Sequence, residues 1–400
     1  MQLQTDICII GDGAIGKTAA LGFAQAGLKV TLLSPAAITQ TPSVAHPEEW
    51  DVRVYAVNHV ARTLLSSLKV WDALDAARVQ AIDAMEVAGD GDQRAGSLAF
   101  DAYGARVDAL AWIVEDRNLN QALDTALKFS TNIQRVQGRA STLQIDDQHA
   151  NVQLENGDTL SAALLVGADG GASWVRSQCN IDLDYRSYGQ RAIVANFSCA
   201  IPHRGTAYQW FSAEQGVIAL LPLAGQRVSL VWSAPEKLAQ TLLQESVFEL
   251  AARLAEFAQP ELGSLTPLQP ETMRAFPLAL MRPHAITASR VALIGDAAHV
   301  IHPLAGHGMN LGFADINALL AAVNARESHR DCGDARVLAR YARSRREDNL
   351  MMQITTDGLA RLFESDFEPV RIVRNLGLNL VNRLPVLKRR LIGHALGKSR

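Results

Sequence analysis

The chain has 400 residues, of which 48% are hydrophobic, and its formal net charge at pH 7 is −3. These values predict a protein that is globular throughout, with two or three domains and a large buried core. The slight acidic excess argues against a nucleic-acid-binding surface, because such surfaces are usually basic.

The cysteines at positions 8, 179, 199 and 332 are scattered, and two of them lie in apolar, strand-like runs. We therefore expect reduced structural thiols, with no disulfide and no metal site. The chain starts without a basic leader and lacks an apolar run of the roughly 18 residues that a membrane-spanning helix requires. These features predict a cytoplasmic protein that is neither secreted nor membrane-spanning.

The first predicted element is an apolar strand over residues 6–10, followed by a G-x-G-x-x-G turn and a helix of small residues. Gly11 permits the tight turn, Gly13 lets backbone N–H groups approach a pyrophosphate, and Gly16 lets the helix pack closely on the strand. The helix begins near Ala14, where unpaired N–H groups and the positive dipole end face the phosphates. The pattern predicts a dinucleotide site, and a glycine turn without a ligand is the alternative.

The second predicted strand, residues 29–33, ends at Ser34. A dinucleotide fold normally carries an acidic residue here to hold two ribose hydroxyl groups. A serine hydroxyl holds one ribose oxygen, whereas a carboxylate can accept from two. Ser34 therefore predicts weaker retention of the cofactor than a carboxylate would give.

Two arginines are candidate anion contacts. Arg53 lies in an otherwise apolar stretch, residues 50–58, and either a phosphate or flavin contact or a surface ion pair would explain it. Arg117 lies in the first turn of a helix that we expect to begin near Asp116, where a cation opposes the helix dipole. A nearby anion would remove that penalty, which favours a phosphate contact over a solvated position.

Between the two arginines, the spacing predicts a helix over residues 60–74 and strands over 84–88 and 97–100.

Two later apolar strands also end in glycine and aspartate. Residues 164–166 lead into a turn with Asp169, and residues 291–294 lead into a turn with Asp296. With the first strand, they predict one sheet whose carboxyl ends converge on a single ligand. Three unrelated loops are the alternative.

The segment between residues 180 and 290 differs in character. Strand-like runs occupy residues 192–198, 217–222 and 228–232, and an amphipathic helix is predicted over 237–257. The segment predicts an antiparallel sheet with helical cover, inserted between parts of the nucleotide domain.

On these motifs the chain resembles the class A flavoprotein aromatic hydroxylases and, within them, the ubiquinone-biosynthesis flavin hydroxylases. Residues 11–16 resemble the ADP-binding loop of that family. Asp169 and Gly170, with Ser173 and Arg176, resemble its second motif, which serves both FAD and the reduced nicotinamide. Residues 295–299 and 303–312 resemble its third motif, where Asp296 would hold the ribityl chain.

The resemblance implies a fold and a division of the chain. We expect an α/β fold with a glutathione-reductase-like, Rossmann-type FAD-binding domain and an inserted antiparallel substrate domain, as in para-hydroxybenzoate hydroxylase. The FAD-binding domain would comprise residues 1–72, 102–180 and 277–355, and the substrate domain residues 73–101 and 181–276. Residues 356–400 would form a helical, basic, amphipathic tail.

The resemblance also implies a reaction. NADPH or NADH would bind transiently and reduce FAD, and the reduced flavin would react with O2 to give a C4a-hydroperoxide that hydroxylates an electron-rich ring. The N–H groups of Gly308, Met309 and Asn310 could stabilise negative charge on the reduced ring. Gly306 belongs to the same flavin loop, and Pro303 would shape the pocket where oxygen is transferred. His307 stands where these enzymes usually have glutamine, and a catalytic and a structural role both remain open.

The substrate side is expected to be apolar. The predicted pocket walls offer aromatic and aliphatic surface with few anion anchors, which favours a prenylated phenol or quinone precursor; they are Trp210, Phe211, Leu220, Leu221 and Trp232. Residues 371–400 contain eight Lys or Arg and no Asp or Glu, so the tail could dock peripherally on an anionic membrane or pack in a core or an oligomer.

Alternative functions remain open at this stage. The protein could be a non-catalytic or weakly FAD-binding scaffold of a quinone-biosynthesis assembly, or a hydroxylase of a small aromatic acid. An NAD-dependent dehydrogenase is less consistent, because it leaves the second and third motifs unexplained. The ring position that is hydroxylated, the preferred nicotinamide and the oligomeric state are not predicted.

Overall fold

A computed structural model describes residues 2–35, 49–89, 96–269, 271–302 and 307–364. The predictions for Pro303, Gly306 and the basic segment 371–400 lie outside the described residues. Within the described residues, no helix combines the length and the hydropathy that crossing a bilayer requires.

The strands follow the chain as β1 (Gln2–Ile10), β2 (Val30–Ser34), β3 (Val54–Val57), β4 (Val79–Ile82), β5 (Ala84–Ala88), β6 (Ser97–Asp101), β7 (Ala111–Glu115), β8 (Ile133–Gln137), β9 (Ala140–Ile145), β10 (Ala150–Leu154), β11 (Thr159–Gly167), β12 (Leu183–Cys199), β13 (Thr206–Ser212), β14 (Gly216–Leu223), β15 (Arg227–Pro235), β16 (Leu265–Pro267), β17 (Arg274–Pro283), β18 (Thr287–Ala288) and β19 (Val291–Leu293). The helices are α1 (Ala14–Gln25), α2 (His59–Ser67), α3 (Ala102–Ala105), α4 (Asp116–Lys128), α5 (Trp174–Gln178), α6 (Glu236–Leu242), α7 (Val247–Leu262), α8 (His307–Asn324) and α9 (Ala335–Glu364).

The first sheet has the strand order β18-β19-β11-β1-β2-β8, with β9 and β10 added beside β11. Strands β1, β2, β8, β11 and β19 are parallel. One face packs on a core that includes residues of α1, α4 and α8, and the other on a second apolar cluster. Both faces are therefore buried, which explains the near-continuous apolar runs of these strands. Strands β1, β11 and β19 are neighbours, so the prediction that their carboxyl ends share one edge is confirmed.

The second sheet has the order β16-β12-β15-β14-β13-β5-β6, with β17 paired to β12. Helices α6 and α7 cover one of its faces. The single helix predicted over residues 237–257 is wrong because Ser246 starts a new helix. Its hydroxyl accepts from the backbone N–H of Glu249, whose carboxylate accepts from the N–H of Ser246 at 2.7 Å.

Two features of the sheets bear on the predicted domain boundaries, and one predicted helix ends early. Strand β17 pairs with β12 as far as Pro283, so the large sheet extends beyond the predicted domain boundary at residue 276. Strand β4, which lies within the predicted substrate domain, pairs with β7 in a separate three-stranded sheet with β3. The helix predicted over residues 60–74 ends at Ser67, because Lys69 adopts a left-handed conformation that an α-helix cannot continue through.

Candidate active site

The first glycine turn is built as its sequence predicts. Gly11 has a φ of +112°, and a Cβ added there would lie 2.2 Å from the carbonyl oxygen of Ala168. A Cβ at Gly16 would lie 1.8 Å from the carbonyl oxygen of Gly11. Both positions therefore require glycine. Gly13 caps α1 and has nothing within 4 Å of an added Cβ, so the start of this helix faces open space.

The three predicted loops contact one another in pairs. Gly11 packs against Ala168, which joins the first loop to the second. Ile15, which follows the first loop, contacts the third motif. A Cβ added at Gly312 would lie 2.7 Å from Cδ1 of Ile15. The guanidinium of Arg176 donates to the carbonyl oxygen of Ala297 at 3.1 Å, which joins the second loop to the third. All three loops thus meet at the carboxyl edge of the parallel sheet.

Asp169 organises the second loop. Its Oδ1 accepts from the hydroxyl of Ser173 at 2.6 Å, and its Oδ2 accepts from the N–H of Val175 at 3.0 Å. The buried guanidinium of Arg176 also donates to the carbonyl oxygen of Gly171 at 2.6 Å. Asp169 and Arg176 therefore shape the start of α5 and its loop. A direct contact between Asp169 and a cofactor stays a prediction.

Asp296 and Arg53 come from distant parts of the chain and influence each other electrostatically. Asp296 is accessible to solvent, yet desolvation by the surrounding protein raises the pKa of its carboxyl group. The charges of His299 and Arg53 lower this pKa in part, and the net shift is upward. The exposed guanidinium of Arg53 lies 6.0 Å from the ring centre of Phe276. The open edge beside the three loops, which we call the recess, has an accessible carboxylate in Asp296 and an accessible cation in Arg53. Together they suit a ligand that carries both hydroxyl and phosphate groups.

Arg117 holds the polypeptide. Its guanidinium donates to the carbonyl oxygen of Glu49, and its backbone N–H donates to Oδ2 of Asp51 at 3.2 Å. The anion expected near the start of this helix is therefore a carboxylate of the protein. The helix dipole needs no phosphate here, and a phosphate contact of Arg117 stays a prediction without that support.

The third motif rests on a buried charge cluster that sequence reasoning missed. Asp315 is fully buried and accepts from Nε2 of His299 at 2.6 Å, from the N–H of Gly295 at 2.9 Å and from Nε of Arg345 at 2.7 Å. Burial alone would raise the pKa of this carboxyl group, but His299 and Arg345 hold it below its usual value. The available signal was an acidic residue within the apolar sequence of α8. The cluster fixes the turn that carries Asp296.

The start of α8 has two kinds of role. The side chain of Asn310 accepts from the N–H of Asn58 at 2.9 Å and donates to the carbonyl oxygen of Ala56 at 2.7 Å. Its amide therefore ties α8 to β3. Gly308 borders open space, and Met309 packs on the large core. The N–H groups of the first turn, which starts at His307, stay the predicted contacts for a ligand.

Comparison with known proteins decides the family. A family model for the FAD binding domain matches residues 4–352. The 3-demethoxyubiquinol 3-hydroxylase of Escherichia coli K12 is 36% identical over 398 residues, which cover 98% of each chain. The chain belongs to the FAD-dependent monooxygenase family.

Other relatives of this flavoprotein agree. Ubiquinone hydroxylase UbiL of Rhodospirillum rubrum is 34% identical and is matched over 98% of this chain and 89% of its own. The mitochondrial ubiquinone biosynthesis monooxygenase COQ6 of Danio rerio is 31% identical, with the same two coverages. The crystal structure of PqsL, a probable FAD-dependent monooxygenase from Pseudomonas aeruginosa, has a TM-score of 0.76 at 22% identity and covers 94% of this chain and 100% of its own. The structural likeness shows the shared fold.

The described residues of the flavoprotein fit FAD. Gly13, Gly170 and Gly308, one from each loop, all border open space. Helices α1 and α8 begin at this edge, where the N–H groups and the positive dipole ends of their first turns favour anionic phosphates and a negatively charged ring. Ser34 ends β2 and is 5% exposed. These residues, with Asp296 and the N–H groups near Ala14, would hold the cofactor.

The predicted pocket walls of the flavoprotein do not share a face. Leu220 and Trp232 have no exposed surface, and with Trp210 they pack against α6 and α7. Their assignment to the substrate pocket is wrong, because the helices cover that face of the sheet. Phe211 points to the opposite face, where it packs with Val217. Leu221 packs against a third cluster, which lies beside the three-stranded sheet. Neighbours in a strand point to opposite faces, which separates Trp210 from Phe211.

Proposed function

We propose that this flavoprotein hydroxylates an apolar, prenylated phenol or quinone precursor in ubiquinone biosynthesis, using NAD(P)H and O2. The names of the relatives from E. coli, R. rubrum and D. rerio support this substrate class. The observation that carries the proposal is that the three loops contact one another in pairs and that each loop has a glycine with open space beside it.

FAD, when bound, would supply the redox chemistry, taking a hydride from NAD(P)H and activating O2 for transfer to the ring. The chain supplies position and charge. The first turns of α1 and α8 would bind anionic groups, Asp296 would accept from cofactor hydroxyl groups, and Arg53 would balance negative charge in the recess. The cluster around Asp315 would keep Asp296 in place during the reaction.

Reconstitution of the purified protein tests the proposal. We expect about one FAD per chain and an oxidation of NAD(P)H that a prenylated phenol accelerates, with a hydroxylated product found by mass spectrometry. A scaffold subunit would consume no NAD(P)H in response to any phenol. A hydroxylase of small aromatic acids would respond to 4-hydroxybenzoate more strongly than to the prenylated phenol. In cells, the quinone precursor that accumulates after gene deletion identifies the missing hydroxyl group.

The basic segment 371–400 extends the proposal to the membrane surface. Its eight Lys or Arg are interleaved with Leu380, Leu384, Leu387 and Leu391, which suits an anionic bilayer that holds a prenylated substrate. We expect the full chain to co-sediment with vesicles rich in anionic lipid and a chain that ends at residue 370 to stay in the supernatant. Equal sedimentation of the two chains would remove the membrane role and leave packing as the function of this segment.

A further inference from the structure

A buried histidine lies where the flavin loops meet the large sheet. His302 is 1% exposed, and its Nε2 lies 2.9 Å from Oε1 of Gln190. The ring of Tyr188 stands nearly perpendicular to the imidazole, with the ring centres 4.9 Å apart. Both neighbours belong to β12 of the substrate sheet. His302 therefore connects the third flavin motif to the sheet on the substrate side.

An irregularity in β12 creates this contact. The pairing of β12 with β17 shifts register between Ser187 and Arg191, and Gly189 within that stretch has a φ of +63°. Such bulges redirect side chains and are common beside functional sites. Here the bulge brings Tyr188 and Gln190 against His302.

The hydrogen bond to Gln190 determines what the other ring nitrogen can do. An amide oxygen only accepts, so Nε2 of His302 carries the proton and Nδ1 presents a lone pair. Nδ1 is buried and has no hydrogen-bond partner within the part of the chain that the structure describes. Buried polar atoms rarely lack a partner, so this one indicates a donor that arrives from outside. Burial lowers the pKa of His302 to about 4, so the lone pair is available at neutral pH.

His302 has the segment of the third flavin motif on one side and the substrate sheet on the other. Val300, two residues before His302, follows the turn that carries Asp296. Its backbone pairs with that of Met281 in β17. On the other side, Tyr188 packs with Phe211 and the cluster on the sheet face that α6 and α7 leave uncovered. His302 therefore follows the turn of Asp296 along the chain and contacts, through Tyr188, an apolar cluster of the substrate sheet.

We propose that Nδ1 of His302 accepts a hydrogen bond from the ring hydroxyl of the phenolic substrate and thereby orients the ring. This inference rests on the proposed function and names the residue that would recognise the phenol. A phenol has a pKa of about 10, far above that of this imidazole, so the proton stays on the phenol oxygen. His302 acts as a substrate-positioning residue and not as a base.

Paired ligands test the inference on the wild-type holoenzyme. A short-chain 2-prenylphenol donates a hydrogen bond, whereas its methyl ether does not. A hydrogen bond between neutral groups changes binding by roughly threefold to tenfold, so we expect the phenol to bind about fivefold more tightly than the ether, measured by perturbation of the flavin absorbance. Equal binding of the two ligands would overturn the inference without requiring any variant to fold.

Two variants identify the ring nitrogen. His302→Gln keeps a polar group near Nε2 and removes the acceptor at Nδ1, whereas His302→Asn keeps one near Nδ1. We expect His302→Gln to bind phenol and ether alike and to release about fivefold more H2O2 per NAD(P)H oxidised, with an unchanged FAD content. We expect His302→Asn to recover part of the preference for the phenol and part of the low H2O2 release. The exposed His329→Asn is the matched control. Retained discrimination in His302→Gln overturns the inference alone, whereas a wild-type protein that hydroxylates no phenol overturns the proposed function.

Discussion

The guanidinium of Arg176 donates to the carbonyl oxygen of Ala297 at 3.1 Å and joins the second flavin loop to the third. A second bond from the same group reaches Gly171 at 2.6 Å. Because Arg176 is only 6% exposed, water cannot readily replace it when it is removed. Besides the backbone pairing of β11 with β19, the relative position of the two loops therefore depends on this side chain.

Replacement of Arg176 is expected to loosen the recess. Arg176→Met leaves the buried carbonyl oxygen of Ala297 and the part-buried one of Gly171 without this donor. The loss should reduce the free energy of unfolding by about 2 kcal/mol and lower the FAD content of the purified protein. Denaturant unfolding and the flavin-to-protein absorbance ratio measure both effects. Arg139→Met, at an exposed position, is the control. Full flavin content in Arg176→Met would contradict this role.

Replacing Asp315 should destabilise the protein more than replacing Asp348, the exposed carboxylate that also pairs with Arg345. Asp315→Asn removes the charge that faces His299 and Arg345, and breaking a buried pair typically costs about 3–5 kcal/mol. Asp348→Asn removes a partner of Arg345 that is 57% exposed, and such pairs contribute about 1 kcal/mol or less. Thermal unfolding of the holoenzymes separates the two. Similar melting temperatures for both variants would show that the cluster does not stabilise the third motif.

Ser34 should limit the affinity for FAD. Ser34→Glu adds an acceptor that can bind two ribose hydroxyl groups, and the stronger charged hydrogen bonds should tighten binding by about fivefold. Ser34→Ala should weaken it. Equilibrium titration of the apoprotein with FAD measures both changes. If Ser34→Glu fails to tighten binding, Ser34 is not the ribose contact.

His302 gives stability a predictable dependence on pH. Its pKa is about 4 in the folded protein, against 6.5 for an unperturbed histidine, because burial disfavours the charged form. As pH falls from 6.5 towards 4, the unfolded chain binds a proton that the folded chain does not, so stability falls. Between pH 7 and pH 5 the loss should be about 2 kcal/mol. His302→Asn should lose that much less over the same interval, and an identical slope in both proteins would contradict the burial of this group.

Local chemistry made much of the fold predictable. Gly11 and Gly16 sit at a turn that requires glycine, and the apolar runs before Asp169 and Asp296 are typical of buried strands. The missed features depend on contacts between distant residues. Asp315 and Arg345 are far apart in sequence, and the break at Ser246 depends on a capping bond within an otherwise continuous helical pattern. The error at Trp210 and Trp232 arose because apolarity alone does not reveal which face of a sheet the helices cover.

A crystal structure of the FAD complex tests most directly whether the three loops hold one cofactor. We predict a single FAD whose pyrophosphate lies against Gly13, whose ribityl hydroxyl groups contact Asp296 and whose ring lies at the start of α8 near Gly308. An FAD bound elsewhere, or one in contact with the first loop but remote from Asp296, would contradict the shared site.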